Sequence, residues 1–165
     1  MYLYGAYGSN LNKNQMLARC PNSISYASLI LDHYKLVFKG VADIEKFNEY
    51  SVCLGVYKIT EKCERSLDIY EEFPKIYEKI YVNTVIMGKN EKVMIYTMKK
   101  KYQYSRPYKR YFNVIKEGYK DWSFNSDTLV KAGLHSIENN SINGYESKNW
   151  KDGKYISSKY LSYIR

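Results

Sequence analysis

Tyr7-Gly8-Ser9-Asn10-Leu11 closes the first apolar run of the chain and opens a short helical pattern. The run before it, Tyr2-Leu3-Tyr4-Gly5-Ala6, has the composition of a buried strand. The residues after it, Asn12 to Arg19, suit a short helix that Asn12 or Asn14 can cap. The stretch is therefore a strand-to-helix turn. Gly8 brings backbone freedom, and Ser9 and Asn10 bring side chains that bond nearby backbone. Such a turn can present successive N–H groups beside a positive helix end, which suits a carboxylate, a phosphate or a developing oxyanion. The alternative is a connecting turn and helix cap with no ligand.

Working outward, Ile24 to Leu31 and Tyr34 to Phe38 read as strands broken at Asp32-His33, and the polar stretch from Gly40 to Tyr50 reads as a loop. Val52 to Tyr57 reads as a buried strand, with Gly55 marking close approach by a backbone or a ligand. Thr60 offers a cap for a helix from Glu61 to Glu71, ended by Pro74. Cys63, Leu67 and Tyr70 share one face of that helix, and Glu71, four residues after Leu67, belongs to the same inward face. Tyr77 to Met87 and Lys92 to Met98 read as an antiparallel pair around Gly88-Lys89-Asn90-Glu91. Helices are expected over Tyr108 to Tyr119, after Pro107, and over Ser126 to Leu134, capped by Ser126 or Ser123. From Asn139 onward the chain is polar and tyrosine-rich, with a turn at Asp152-Gly153. Strands and helices alternate without a βαβ rhythm, so the class is α+β with a mixed or antiparallel sheet. We expect one domain over residues 1–165, with a core to about 135 and a tail over 136–165.

The 165 residues suffice for a real core, and no apolar run reaches membrane-spanning length. The composition reads as a soluble, cytoplasmic protein with no membrane partner. Cys20, Cys53 and Cys63 are odd in number and lack CxxC spacing, so they read as buried small hydrophobes. A formal net charge of +9 is spread along the chain, which favours a lysine-rich surface. One basic segment stands apart, Lys99 to Tyr111, where tyrosines interleave with lysines and arginines. That composition suits phosphate contacts with base stacking, or the drawing of anionic substrates toward a pocket.

Familiar catalytic sets are missing: no GxSxG elbow, P-loop or HExxH occurs, and His33 and His135 lack ligand spacing. Ser9 has no visible base partner. What remains is one inward carboxylate, Glu71, and one anion-cradling turn. These suit a reaction with a general base and an oxyanion site, without metal, cofactor or covalent intermediate.

In these residues the chain resembles the γ-glutamylcyclotransferase-like family, which includes the AIG2-like proteins. The matching segments are Tyr7 to Leu11, Arg19-Cys20-Pro21, Val52 with Gly55-Val56-Tyr57, Leu67 to Glu71 with Pro74 and Tyr77, and Pro107 with Tyr111 and Gly118. They cover most of residues 1–120 in the family's order. The resemblance implies a small mixed β-barrel flanked by helices, with one pocket at its mouth. It implies Glu71 as the catalytic acid/base, and a loop of Tyr7, Gly8, Ser9, Asn10, Leu11 and Asn12 that holds a γ-glutamyl group, with Tyr111 against it. The implied partner is a small γ-glutamyl compound, handled by a monomer or homodimer. Its α-amine would attack its own γ-amide carbonyl and release 5-oxoproline with an amine or amino acid. The family's usual glycine after the catalytic glutamate is here Glu72. That carboxylate could raise the pKa of Glu71, face solvent, discourage acidic substrates or favour cationic leaving groups. The rival reading is a non-catalytic binding protein on the same fold, holding nucleic acid or an anionic ligand along residues 99–111.

Overall fold

A computed structural model describes residues 1–151 and 153–164. Five strands form one mixed sheet in the order β2-β3-β1-β5-β4. They are β1 (Tyr2–Ala6), β2 (Ile24–Phe38), β3 (Ala42–Ile59), β4 (Tyr77–Ile86) and β5 (Lys89–Met98). β1 lies at the centre, antiparallel to β3 and parallel to β5. This placement follows from its apolar sequence, since Tyr4, Gly5 and Ala6 are all buried. A parallel central pair needs cover on both faces. The helices α1 (Lys13–Arg19), α2 (Glu61–Tyr70), α3 (Lys109–Asp121), α4 (Asp127–Glu138) and α5 (Ser158–Ser162) accompany it.

The α+β class and the mixed sheet are as expected, and the sheet stays open rather than closing into a barrel ladder. Side chains do part of what closure would do. Asp43 at the start of β3 accepts from the Met98 amide at the end of β5 (2.9 Å), and the Tyr77 hydroxyl donates to the Ala42 carbonyl (2.7 Å). The hairpin tip between β2 and β3 is thereby tied to the β4–β5 pair.

Several boundaries differ from the sequence reading. The stretch from Gly40 to Tyr50 is not a loop: β3 starts at Ala42 and pairs with β2, and its exposed middle explains the polar composition. A paired strand satisfies its backbone whatever its side chains face. Asp32-His33 does not break β2. The register shifts there, and His33 takes φ 66°, as a bulge does. The turn between β4 and β5 comes earlier than expected, at Met87-Gly88, where both residues have positive φ (50° and 76°). That geometry matches the right-handed twist of a tight hairpin. α4 runs past Leu134 to Glu138. Cys20 and Cys63 are buried as expected but paired in a disulfide that joins the end of α1 to α2. The tail is not merely a polar appendage. Trp150, Ile156 and Leu161 are buried, and α5 packs on α4. The turn expected at Asp152-Gly153 includes residue 152, which lies outside the described residues; Gly153 has φ 78°. Among the described residues no helix is long and apolar enough to cross a membrane.

The Ser9–Leu11 turn is a single 3-10 turn held from behind by two packed elements. A β-carbon on Gly118 of α3 would come within 2.7 Å of the Asn12 amide nitrogen, so α3 lies directly on the turn. Asn12 reinforces the contact by donating to the Val114 carbonyl (3.1 Å) while its Oδ1 caps α1 at Gln15. Gly55 marks the close approach its sequence suggested, but the neighbour is a side chain. The Trp122 indole fills the space a β-carbon would take and donates to the Leu11 carbonyl (2.8 Å). Gly118→Ala is expected to lower stability by about 1–3 kcal/mol in urea unfolding, because the added methyl must push α3 off the turn.

Candidate active site

One cavity lies where the C-terminal end of β1, the end of α2, the tip of the β2–β3 hairpin and the tail meet. Gly8, Ser9 and Asn10 form one wall and Glu71 and Glu72 another. Tyr7, Tyr77 and Tyr111 line it further in, and Tyr145 and Trp150 of the tail cover it.

Asn10 is the hub. Its Nδ2 donates to the Tyr4 hydroxyl (3.0 Å) and to Glu71 Oε1 (3.0 Å), and its Oδ1 accepts from Arg19 Nη1 (2.6 Å). Arginine only donates, so the amide can face only one way, with its nitrogen toward Glu71. Arg19 is held in turn by Gln15 Oε1 (2.9 Å) and lies 3.6 Å over the centre of the Tyr70 ring. Trp150 Nε1 donates to the Tyr70 hydroxyl (2.8 Å). That hydroxyl also shares a hydrogen bond with Ser9 Oγ (2.8 Å).

The backbone of the turn is fixed from the opposite side. Tyr57 donates to the Asn10 carbonyl (3.0 Å) and Trp122 to that of Leu11. The Leu11 and Asn12 amides are used inside the turn, on Gly8 and Ser9 carbonyls. Those of Ser9 and Asn10, at its open end, have no acceptor within the helical turn. Of the residues expected to bind substrate, Tyr7, Gly8, Ser9, Asn10 and Tyr111 line the cavity with Glu71. Leu11 is fully buried behind them, and Asn12 serves α1 and α3 instead.

Glu71 caps the end of α2, and the residue is half-buried. Burial of the carboxyl pushes its pKa up to about 8, against the pull of the Arg19 guanidinium. Glu72 is not among the causes of this rise. The surrounding tyrosines go the other way from usefulness. Burial lifts Tyr7, Tyr77 and Tyr111 well above their ordinary range. Tyr7 and Tyr77 also donate their protons to backbone, to the Tyr96 carbonyl (2.6 Å) and the Ala42 carbonyl (2.7 Å), whereas the Tyr111 hydroxyl accepts from the Ala42 amide (2.9 Å). Glu71 is thus the cavity group brought into the neutral range. A proton-transfer group beside open amides can move protons on a ligand whose anionic or carbonyl oxygen sits at the turn. Among the described residues no cluster of three or more His, Cys, Asp or Glu side chains is placed to hold a metal.

Arg19, Tyr70, Tyr145 and Trp150 were not singled out as site residues from sequence. Arg19 and Tyr70 carried a signal, since each stands within a matching segment; Tyr145 and Trp150 carried none beyond composition. The tyrosines of the basic segment are occupied inside the fold. Tyr102 packs on Tyr145, Tyr104 donates to Glu45 (2.7 Å), and Tyr108 stacks on Tyr155 and bonds Glu146. Lys99, Lys100 and Lys101 are exposed.

The family model described as gamma-glutamyl cyclotransferase, AIG2-like, matches residues 4–124. Among solved structures, a gamma-glutamyl cyclotransferase is 24% identical, with a TM-score of 0.71 over 99% of this chain and 97% of its own. An uncharacterized protein from Homo sapiens is 23% identical, with the same score and coverage. YkqA from Bacillus subtilis is 18% identical, with a TM-score of 0.67 over 85% of this chain and 55% of its own. At these identities the likeness is one of fold. No curated protein sequence matches the chain.

The raised pKa has a consequence for stability. Folded Glu71 keeps its proton up to about 8, against an ordinary value of 4.5. Between those values the folded state binds more protons than the unfolded chain, so stability falls as pH rises across that window. Thermal unfolding at pH 5 and pH 8 is expected to show a larger fall for the wild type than for Glu71→Gln.

Proposed function

Since the chain belongs to the gamma-glutamyl cyclotransferase, AIG2-like family, we propose that it cyclises a γ-glutamyl compound to 5-oxoproline, releasing the amine or amino acid bound at the γ-carboxyl. The observation that carries this reading is Glu71, lifted toward neutrality by burial and hydrogen-bonded to Asn10 of the turn.

The reaction asks little of a protein. Nucleophile and electrophile belong to one molecule, so the proximity gain comes with the substrate once its chain is folded. Glu71 as carboxylate takes a proton from the α-ammonium, and the freed amine attacks the γ-carbonyl carbon. A C–N bond forms and a tetrahedral oxyanion develops, for which the open amides of Ser9 and Asn10 are the available donors. Collapse breaks the original γ-amide C–N bond. The attacking nitrogen loses its second proton as it becomes the lactam N–H, and the leaving nitrogen gains both protons and departs as an ammonium. Glu71 carries each proton in turn from the attacking to the leaving nitrogen. Burial brings its pKa to about 8, nearer to that of an α-ammonium than an ordinary carboxyl lies, so the first transfer is less steeply uphill.

Tyr7, whose proton is held by the Tyr96 carbonyl, acts as a rigid wall that bends the substrate, and the Tyr111 hydroxyl oxygen is fixed beside it by the Ala42 amide. Arg19 acts through Asn10, fixing the amide that orients Glu71.

The test is 5-oxoproline release from γ-glutamyl amino acids, γ-glutamyl amines, ε-linked γ-glutamyl-lysine and glutathione. Wild type should turn over at least one, and Glu71→Gln should lose about 10²–10⁴ of that rate. Because the base must be ionised while the substrate's α-ammonium still holds its proton, kcat/KM should rise with pH through about 8 and fall again once that ammonium has titrated. No release from any of these compounds would overturn the reading.

A further inference from the structure

The cavity is lined by two acidic side chains, Glu71 and Glu72. No lysine, arginine or histidine is among the described residues that line it, in a protein whose net charge is +9. Arg19, the cation that acts on Glu71, stands behind the wall. Its guanidinium is directed to Asn10 and Gln15 and stacked on Tyr70.

The two carboxylates are anchored on opposite sides. Glu71 is bonded to Asn10 of the turn, and Glu72 accepts from the Tyr145 hydroxyl of the tail. A ligand that extends from the turn past Glu71 therefore meets Glu72 and Tyr145. Glu72 also holds a backbone conformation, φ 49°, that side chains other than Gly and Asn rarely adopt. A strained residue on the wall of a reaction cavity points to a role there, since the fold would be easier with glycine.

We infer that Glu72, held by Tyr145, is a specificity-determining residue that selects γ-glutamyl compounds whose leaving amine carries a positive charge and disfavours those whose leaving amine carries a carboxylate. This rests on the cyclotransferase reading for the placement of the γ-glutamyl group at the turn. A carboxylate on the leaving side finds no cation lining the cavity and lies against Glu72, whereas an ammonium finds a partner. The positive surface does not reverse this preference. Charges there are screened over about 8 Å at physiological salt, while Glu72 acts at contact.

Three probes of similar length separate the possibilities: γ-glutamyl-1,4-diaminobutane, neutral γ-glutamyl-butylamine, and γ-glutamyl-aminobutyrate with its terminal carboxylate. Turnover by wild type and by Glu72→Gln gives the ratios of kcat/KM. Calorimetric binding to Glu71→Gln and to the Glu71→Gln, Glu72→Gln double variant gives the same comparison without chemistry. The expected result is at least a tenfold preference of wild type for the diamine probe over the carboxylate probe. In Glu72→Gln the ratio should shrink at least fivefold, with the diamine probe losing and the carboxylate probe gaining relative to the butylamine probe. Binding should follow the same order in Glu71→Gln and lose it in the double variant. Equal handling of the three probes, or an unchanged ratio in Glu72→Gln, would overturn the inference and leave the cyclotransferase reading standing. Binding in the expected order with no turnover by wild type would sustain the selectivity and overturn the reaction. Failure to bind any probe would overturn both.

Discussion

The carboxamide of Asn10 is the constraint on which the site depends. It is buried, so each of its polar atoms needs a partner, and a buried donor or acceptor left alone costs about 1–3 kcal/mol. The partners come from three separate elements: Tyr4 from the central strand, Arg19 from α1 and Glu71 from the end of α2. One side chain therefore sets the mutual positions of strand, turn and two helices. The Cys20–Cys63 disulfide lies beside this junction and ties the same two helices, so covalent and hydrogen-bonded restraints act on one place.

Around that hub, tyrosine does work that aliphatic residues could not. A tyrosine fills a core with its ring and still offers a hydroxyl to bind the backbone. Tyr57 holds the turn, Tyr7 holds β5 through the Tyr96 carbonyl, and Tyr77 and Tyr111 grip the two sides of the Ala42 peptide. The cavity is thus both aromatic and rigid, and Glu71 is dehydrated by the rings packed around it. Its raised pKa follows from the same packing that stabilises the fold.

Features set by local rules were legible in the sequence. Asn12 and Thr60 cap the helices they precede. The spacing of Cys63, Leu67 and Glu71 placed a carboxylate on an inward face, and Gly55 announced a close approach. The strand-to-helix turn at Tyr7–Leu11 could be found because its residue types are demanding. The remainder depends on distant partners. The polar half of β3 is a strand because β2 lies beside it, and nothing between Gly40 and Tyr50 says so. Arg19 becomes a site residue through Asn10 and Tyr70. Trp150 becomes one through Tyr70, eighty positions away in sequence. Leu11 and Asn12 belong to the same motif as Ser9 and Asn10, but a 3-10 turn points alternate groups in different directions, and motif membership does not reveal which.

The central strand is the first element of the chain, and its two neighbours in the sheet, β3 and β5, reach Ile59 and Met98. β1 therefore cannot be paired on both sides until some ninety further residues have been made. The cavity waits longer, since its cover comes from Tyr145 and Trp150. During synthesis at about 5–20 residues per second, the Tyr7–Leu11 turn must persist for seconds as an unfinished surface. Such late, long-range closure makes for slow folding and exposes the apolar first strand to other unfinished chains. The enclosed surroundings of Glu71 thus depend on residues made long after the turn, and the site is complete only once Tyr145 and Trp150 have been added.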